Sequence, residues 1–177
     1  MGDTLYAGVA RKIINPPMGI KRPGIRLFSD PIQGIEADLT ATALVVSNQT
    51  SKVVIVACDL VMISVPVTLE IRRRIGEAVN TPVSHVMINF SHTHSGPALP
   101  DYIEDTPEQM RIQRQYQDKL IGWLVAAAYE ADQQQQPCRI GADWGESPVG
   151  IYRRETGPDG CDVLGEDADV PIDSAVG

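Results

Sequence analysis

Residues 52–90 have the pattern of a strand, a helix and a second strand, and no other stretch limits the possible folds as much. Residues 52–58 (KVVIVAC) are apolar from Val53 onward, as in a strand covered on both faces, and residues 85–90 (HVMINF) form a similar run. Between these runs, residues 64–79 place apolar side chains at helical spacing: Val67, Ile71, Ile75 and Ala78. A right-handed crossover makes such strands parallel, so the pattern predicts a βαβ unit whose carboxyl ends share one sheet edge.

Two further strands are predicted on the amino-terminal side of this unit. Residues 5–14 and 39–47 are rich in β-branched and aliphatic residues, which favour strands. The turn-forming residues 48–51 (NQTS) have the length of a hairpin loop and join the second run to residues 52–58. We therefore expect an antiparallel hairpin beside the parallel pair.

A long helix is predicted after the βαβ unit. Thr106-Pro107-Glu108-Gln109 has the form of a helix start with a capping box, and the helix is expected to end near Asp132. Its apolar face is predicted to contain Ile112, Tyr116, Leu120, Trp123, Leu124 and Ala127. Residues 138–144 are predicted to form a strand, and residues 145–177 a loop-rich tail without a core of its own. The predicted fold class is α/β: a mixed β-sheet with a βαβ unit and helices packed on it, forming a partial domain.

The loop between the first two strands is unusually long. Residues 16–34 contain four prolines and three glycines, together with Lys21, Arg22 and Arg26. Loops of this length inside compact domains often line a functional site, and a surface excursion is the alternative.

Composition excludes some classes of function. The formal net charge of -8 and the absence of a basic run argue against a nucleic-acid partner. Cys58, Cys138 and Cys161 are too few and too scattered for a disulfide framework, so they are expected to be free thiols. The first residues lack the apolar core of a secretory signal. The localisation is therefore open: cytoplasmic for the chain as it stands, secreted if a signal peptide has been removed.

Two histidines follow the second strand of the βαβ unit, in the segment FSHTHSGP. In extended backbone alternate side chains project to one side, so His92 and His94 are expected to face the same small volume. The polar and small residues around them can supply supporting hydrogen bonds and leave room for a substrate. The segment is typical of a metal-ligand corner, although a pair of surface histidines would have the same spacing, and zinc usually needs a third protein ligand.

Asp59 follows the first strand of the βαβ unit and is expected at the same edge as His92. It can orient a ligand histidine or a water molecule, or it can cap the loop that precedes the helix. His85 begins the second strand, roughly 20 Å from His92 at about 3.3 Å per residue, and is expected to be structural.

The segments AGVARKIINPPMG, ATALVV, VVIVACDL and HVMINFSHTHSGP occur in an order that closely resembles the amino-terminal catalytic domain of the neutral/alkaline non-lysosomal ceramidases. The resemblance extends from about Ala7 to Gly177, and SHTHSGP is its most specific motif. By this resemblance residues 1–177 are the amino-terminal part of a ceramidase-like zinc hydrolase domain. The implied reaction is hydrolysis of the N-acyl amide of ceramide to sphingosine and a fatty acid.

The resemblance also implies roles for particular residues. It makes His92 a ligand of Zn²⁺ and places His94 and Asp59 at the reacting centre as candidate catalytic residues. Gly19 and Arg153 would bind the substrate, a small-molecule lipid amide. Transient contact of the protein with a membrane surface is compatible with such a substrate.

The sequence departs from the family at several positions. Residues 98–102 read Ala-Leu-Pro-Asp-Tyr where a Gly-Gly-Tyr-like stretch is usual, and Tyr152 precedes Arg153 where the family often has asparagine. The family's other zinc ligands, a histidine, a glutamate and a tyrosine, come from later sequence, and no histidine follows His94. We therefore expect this chain to be part of a longer protein, with the remainder of its own polypeptide as a partner.

Two other classes of function are consistent with the sequence. One is a related metallohydrolase that acts on an amide or ester other than a sphingolipid. The other is a non-catalytic domain in which the histidines bind no metal. A dinucleotide-binding domain is disfavoured because no G-x-G-x-x-G segment follows a strand.

Overall fold

A computed structural model describes residues 4–21, 31–48, 50–99 and 106–176. The chain divides into two compact units, Met1–Cys138 and Arg139–Gly177. The first unit contains the following strands and helices: β1 Leu5–Ile13, β2 Thr40–Ser47, β3 Lys52–Cys58, β4 Met62–Ile63, α1 Val65–Val79, β5 Val86–Phe90, β6 Ala98–Leu99, α2 Pro107–Gln133 and β7 Gln136–Cys138.

Five of these strands form one mixed sheet in the order β5-β3-β2-β1-β7. The pairs β1–β2, β2–β3 and β1–β7 are antiparallel, whereas β3 and β5 are parallel. The α/β fold, the hairpin and the βαβ unit predicted from the sequence are therefore confirmed.

Both helices pack on one face of the sheet. The paired residues Ala10, Ala43 and Val56 point into this layer and are buried. Helix α2 covers β1, β2 and β3, while α1 lies beside β5 and against α2. The main buried side chains that the helices contribute are Ile71, Ile75, Tyr116, Leu120, Leu124 and Ala127. These residues lie on the helix faces that periodicity predicted, and Ile112 and Trp123 are partly buried beside them.

Polar contacts fix the helices to the sheet at defined points. The Nζ of Lys52, at the start of β3, donates to the carbonyl of Val79 at 2.7 Å and pairs with the Asp132 carboxylate at 2.6 Å. One lysine thus binds the carboxyl ends of both helices, where the helix dipoles favour positive charge. The buried Tyr116 hydroxyl donates to the carbonyl of Ile14 at 2.6 Å, and burial raises the pKa of this tyrosine.

The opposite face of the sheet is exposed. On β3, Val53 and Ala57 are exposed and Ile55 is half-buried, so the expectation that this strand is covered on both faces is wrong for this face within the described residues. The apolar run from Val53 to Cys58 thus does not match the one-sided burial of the strand.

Three local predictions need correction. The side chain of Thr106 accepts from the backbone N–H of Gln109 at 3.3 Å, but the Gln109 side chain donates to the carbonyl of Gly19 and does not close a capping box. The second strand of the βαβ unit begins at Val86, because residues Val83–His85 form one turn of 3-10 helix.

The strand predicted for residues 138–144 is also wrong, since β7 ends at Cys138 and pairs with β1 at its start. Pro137 lies in this edge strand, where a residue without an N–H is tolerated. Three predicted segments lie partly outside the described residues. They are the hairpin loop at Gln49, the long loop at residues 22–30 and the segment after the histidines at residues 100–105.

The second unit consists of two small antiparallel pairs. Its strands are β8 Gly145–Glu146, β9 Tyr152–Thr156, β10 Asp162–Asp167 and β11 Ala175–Val176, and they pair as β8–β11 and β9–β10. No residue described in this unit is buried. The tail predicted to have no core of its own thus contains strands but no buried residue among those described.

Among the helices in the described ranges, none is long and apolar enough to cross a membrane.

The backbones of β1 and α2 approach closely at Gly8. A Cβ at this position would lie 2.0 Å from the carbonyl oxygen of Ala131, which is part of the helix backbone. Gly8→Ala is therefore expected to lower the free energy of unfolding by about 1–3 kcal/mol, because strand and helix must separate. Urea denaturation measures this difference.

Gly122→Ala is the matched control for this prediction. Gly122 lies in the middle of α2, and a Cβ there meets nothing within 4 Å. The substitution is expected to stabilise the protein by about 0.5–1 kcal/mol through helix propensity. Equal effects of the two substitutions would contradict the close approach at Gly8.

Candidate functional site

The candidate site lies where the parallel strands β3 and β5 end. Cys58 pairs with Phe90 at the last position of the register, so Asp59 and Ser91 leave the sheet side by side. The backbone N–H of Ser91 donates to the carbonyl of Cys58 at 3.0 Å and extends the pairing by one bond. The structure thus brings the Asp59 and His92 segments to one edge, as the βαβ pattern predicted.

Beyond this edge the two segments continue beside each other. The N–H of Val61 donates to the carbonyl of Pro97 at 3.1 Å, and the N–H of Ser64 donates to the carbonyl of Leu99 at 2.9 Å. Between these bonds β4 and β6 form a short parallel pair. Backbone hydrogen bonds therefore hold the histidine segment at both ends, at Ser91 and at residues 97–99.

Gly96 lies close against the backbone of the Asp59 segment. A Cβ at this position would lie 2.9 Å from the carbonyl oxygen of Asp59. The N–H of Gly96 also donates to the carbonyl of Thr93 at 3.2 Å, which closes the turn that contains His94. A residue with a larger side chain would force the histidine segment away from the Asp59 segment.

His92 has an unusual backbone conformation and a fixed ring. Its φ is 57°, in the left-handed region that histidine seldom occupies. Its ring Nδ1 lies 3.0 Å from the carbonyl oxygen of Val61. A carbonyl can only accept, so Nδ1 carries the proton, and in the neutral ring Nε2 keeps its lone pair. Because the residue is exposed, this nitrogen is available to a metal ion or another acid.

The rings of His92 and His94 are close together. Their centroids are 5.0 Å apart and their planes are inclined at 65°. Two imidazoles that share a tetrahedral metal at about 2 Å would have centroids roughly 5 Å apart, so the spacing is compatible with a shared ligand. The sequence predicted this proximity from extended backbone, and that reason is wrong. The chain turns at His92 and again at residues 93–96, and these turns bring the rings together.

Asp59 is turned toward β2. Its Oδ2 accepts from both the backbone N–H and the hydroxyl of Thr40, at 2.9 and 2.8 Å. Within the described residues, no hydrogen bond joins Asp59 to either histidine. The carboxylate therefore ties the start of β2 to the end of β3, and its catalytic role stays a prediction.

A cavity opens beside the histidine segment. Its volume is about 790 Å³, within the range of small-molecule sites. Residues 31–39 form most of its wall together with Asn15 and Pro16, and Thr93 and Ser95, which flank His94, complete it among the described residues. The end of the long loop between β1 and β2 thus lines the cavity, while residues 22–30 of that loop lie outside the described part.

Asn15 holds the cavity wall in place. Its Nδ2 donates to Asp38 at 2.7 Å, and its Oδ1 accepts from the N–H of Leu39 at 2.8 Å. Sequence reasoning missed this residue and the carbonyl of Val61. The position of Asn15 directly before Pro16-Pro17, where a strand must end, is a signal that could have marked it.

The two predicted substrate-binding residues lie in different units. Gly19 has φ 84°, donates its N–H to Ile32 at 2.9 Å and accepts at its carbonyl from Gln109 at 2.8 Å. Arg153 is exposed on β9 in the second unit, where its Nε donates to the carbonyl of Gly165 at 3.2 Å. Both roles stay predictions.

His85 lies at the opposite end of the sheet, where its Nδ1 lies 3.0 Å from the carbonyl oxygen of Lys52. His85 therefore contacts the first residue of β3, whereas His92 lies at the other edge of the sheet, beyond the last residues of β3 and β5.

The chemistry of the donors fits a zinc ion at His92. The ring offers a lone pair on Nε2 and is oriented by a backbone carbonyl, which is the usual arrangement of a ligand histidine. The described residues contain no group of three or more histidine, cysteine or acidic side chains that could hold a metal. A metal bound to His92 therefore needs further ligands that the described residues do not provide.

Cys58, at the end of β3, has a strongly perturbed thiol. Burial, and secondarily the Asp59 carboxylate, raises the pKa of Cys58 from 9.0 to about 12. The folded chain thus holds this proton more tightly than the unfolded chain, so the stabilisation is complete below pH 9.0 and is lost as pH rises toward 12. Urea denaturation in this range is expected to show falling stability.

Cys58→Ala removes the thiol and is expected to flatten this alkaline dependence while lowering stability at neutral pH through lost packing. Tyr116, whose pKa is also raised by burial, contributes to the remaining slope, and Tyr116→Phe controls for it. An unchanged slope in Cys58→Ala would contradict the assignment to the thiol.

Two ceramidases are among the solved structures that this chain resembles. The neutral ceramidase from Pseudomonas aeruginosa superimposes with a TM-score of 0.62 at 22% identity, over 82% of this chain and 24% of that chain. A ceramidase complexed with C2 gives a TM-score of 0.66 at 21% identity, over 89% of this chain and 26% of that one. The chain has a ceramidase-like fold.

The likeness is one of structure. No family model matches the sequence, and no curated protein matches it. The chain spans about a quarter of the length of the two ceramidases. At this level of identity the comparison establishes the fold, and the chemistry must be argued from the residues.

Proposed function

We propose that this chain is the amino-terminal part of a zinc-dependent amidohydrolase that cleaves the N-acyl bond of ceramide, giving sphingosine and a fatty acid. The observation that carries the proposal is the geometry of His92. Its ring is oriented by the carbonyl of Val61, and the ring of His94 lies 5.0 Å away. The fold shared with two ceramidases supports the choice of reaction.

His92 acts as a metal ligand through Nε2. The hydrogen bond from Nδ1 to Val61 keeps the ring in the required tautomer. The bonds from Val61 to Pro97 and from Ser91 to Cys58 hold the backbone on both sides of this contact. The strained φ of His92 persists because these contacts fix it from several directions.

Zinc, when bound, supplies polarisation of the amide carbonyl and an acidified water. Its remaining ligands come from further polypeptide of the same protein.

His94 moves the proton. It lies beside His92, is exposed, and makes no hydrogen bond to another described side chain, so its ring is accessible to a substrate. An imidazole in this position can accept a proton from the attacking water and donate it to the leaving amine. Asp59 is proposed to support this centre through the backbone of its segment, which contacts Gly96.

The cavity beside the histidines accommodates the substrate. Ile32, Ile35 and Leu39 provide apolar contacts, while Asn15 and Ser95 provide hydrogen-bonding groups. An amide with a long hydrocarbon chain and a hydroxylated head needs both. We propose that Gly19 and Arg153 contribute further contacts to the polar part of the substrate.

The proposal predicts that His92→Ala abolishes both zinc binding and ceramide hydrolysis. Loss of a residue that hydrogen-bonds to a metal ligand lowers metal affinity or activity roughly 10–100-fold. Loss of the ligand itself is therefore expected to lower kcat/KM by more than that. The measurements are metal content and hydrolysis of an N-acyl sphingosine by the full-length protein.

His85→Ala is the matched control, since this histidine makes the same kind of bond to a backbone carbonyl but lies at the other end of the sheet. It is expected to retain zinc and at least about half of the activity. Unchanged activity in His92→Ala would remove this residue from the mechanism. A full-length protein that binds no zinc would favour a non-catalytic domain.

A related metallohydrolase with a different substrate is the second candidate. The cavity wall includes Glu36 and Asp38, whose carboxylates suit a more polar or cationic substrate than a neutral lipid.

A panel of amides separates the two candidates. For a ceramidase, kcat/KM is expected to rise with acyl-chain length, because each buried CH₂ contributes about 0.8 kcal/mol. Shortened N-acyl sphingosines and N-acyl amino acids measured with the full-length protein provide the comparison. Preference for the short or charged amides would favour the second candidate.

A further inference from the structure

The exposed face of the main sheet carries a row of apolar residues across β1, β2, β3 and β5, four of its five strands. Val9 pairs with Leu44, Leu44 with Ile55, and Ile55 with Met87, so one residue from each of four strands forms a continuous apolar row. Paired residues point to the same face of a sheet. The row is accessible in this structure, since Val9 is 55% and Met87 is 53% exposed.

A second apolar row lies beside the first. Ala7 pairs with Val46, and Val46 pairs with Val53, which is 44% exposed. On the other side of the first row, Arg11 is the one charged residue that β1, β2, β3 and β5 direct to this face, and its Nε donates to the hydroxyl of Thr42 at 3.1 Å.

This composition does not suit a face in contact with water. An antiparallel sheet with one solvated face normally alternates apolar and polar residues along each strand. Here β3 is apolar on both faces: Val54 and Val56 are buried under the helices, while Val53, Ile55 and Ala57 face outward. Contiguous apolar surface of this kind marks an interaction site.

We propose that this face is an internal interface of a longer protein, covered by an apolar layer that further polypeptide of the same protein provides. The two ceramidase chains that share the fold are about four times as long as the part that aligns with this chain. Layered domains bury the second face of a sheet against another sheet or against helices. This inference concerns the sheet and does not depend on the metal chemistry proposed for His92.

The second unit also exposes large apolar side chains. Among its described residues none is buried, and large apolar side chains are open to solvent, with Trp144 at 79% and Leu164 at 82%. A unit of this size without a core is not stable by itself. It therefore also needs additional polypeptide.

The test places a charge on the exposed face of the full-length protein. Met87→Lys puts an ammonium group into the proposed interface, where it would have to be desolvated. We expect Tm to fall by at least about 5 °C. Leu69→Lys is the matched control, because Leu69 has nearly the same exposure, 50%, but lies on α1 in the helix layer. It is expected to shift Tm by no more than about 2 °C.

Met87→Gln and Leu69→Gln provide a milder pair if the lysine variant does not fold. The methionine variant is again expected to lose more stability than the leucine variant. Equal and small shifts within either pair would overturn the proposal, because the face would then be exposed to water.

Two further outcomes would identify a different occupant. Sedimentation of the full-length protein could show a dimer that Met87→Lys dissociates, in which case a second copy covers the face. Binding of the full-length protein to phosphatidylcholine vesicles that Met87→Lys abolishes would indicate a lipid surface. Either result would overturn the proposal, whereas neither is expected if further polypeptide covers the face.

Discussion

The parallel pairing of β3 and β5 is the constraint on which the candidate site depends. Because the two strands end together at Cys58 and Phe90, the segments that follow begin as neighbours, and backbone bonds keep them together as far as Ser64 and Leu99. Helix α1 makes this pairing possible by carrying the chain back to the start of the sheet. The position of the histidines is thus a consequence of topology.

Local strain accompanies this arrangement. His92 adopts a left-handed backbone conformation, and Gly96 approaches the carbonyl of Asp59 so closely that a Cβ would not fit. Strained residues persist where the surroundings determine their conformation, and such positions concentrate at functional sites. The sheet is regular up to Phe90, and the irregular backbone begins at the residues proposed to perform the chemistry.

Most of the fold can be predicted from periodicity, because α1, α2 and the strands β1, β2, β3 and β5 have strong apolar patterns. Two predictions failed for different reasons. Residues 139–144 contain no strand, since edge pairing ends at Cys138, and Gln109 closes no capping box because its side chain bonds to Gly19, which is distant in sequence. The histidine pair could be recognised, but its geometry could not. The turn at His92 depends on the contact with Val61, and the wall held by Asn15 depends on Asp38, and neither contact leaves a pattern in the sequence.

The cavity wall and the histidines belong to different parts of the chain. Residues 31–39 form the wall, whereas main-chain bonds between the segments after β3 and β5 position the histidines. Under the proposed function, substitutions in the wall would change substrate choice while the histidines stay in place. A single scaffold of this design can diversify in selectivity during evolution without rebuilding its chemistry.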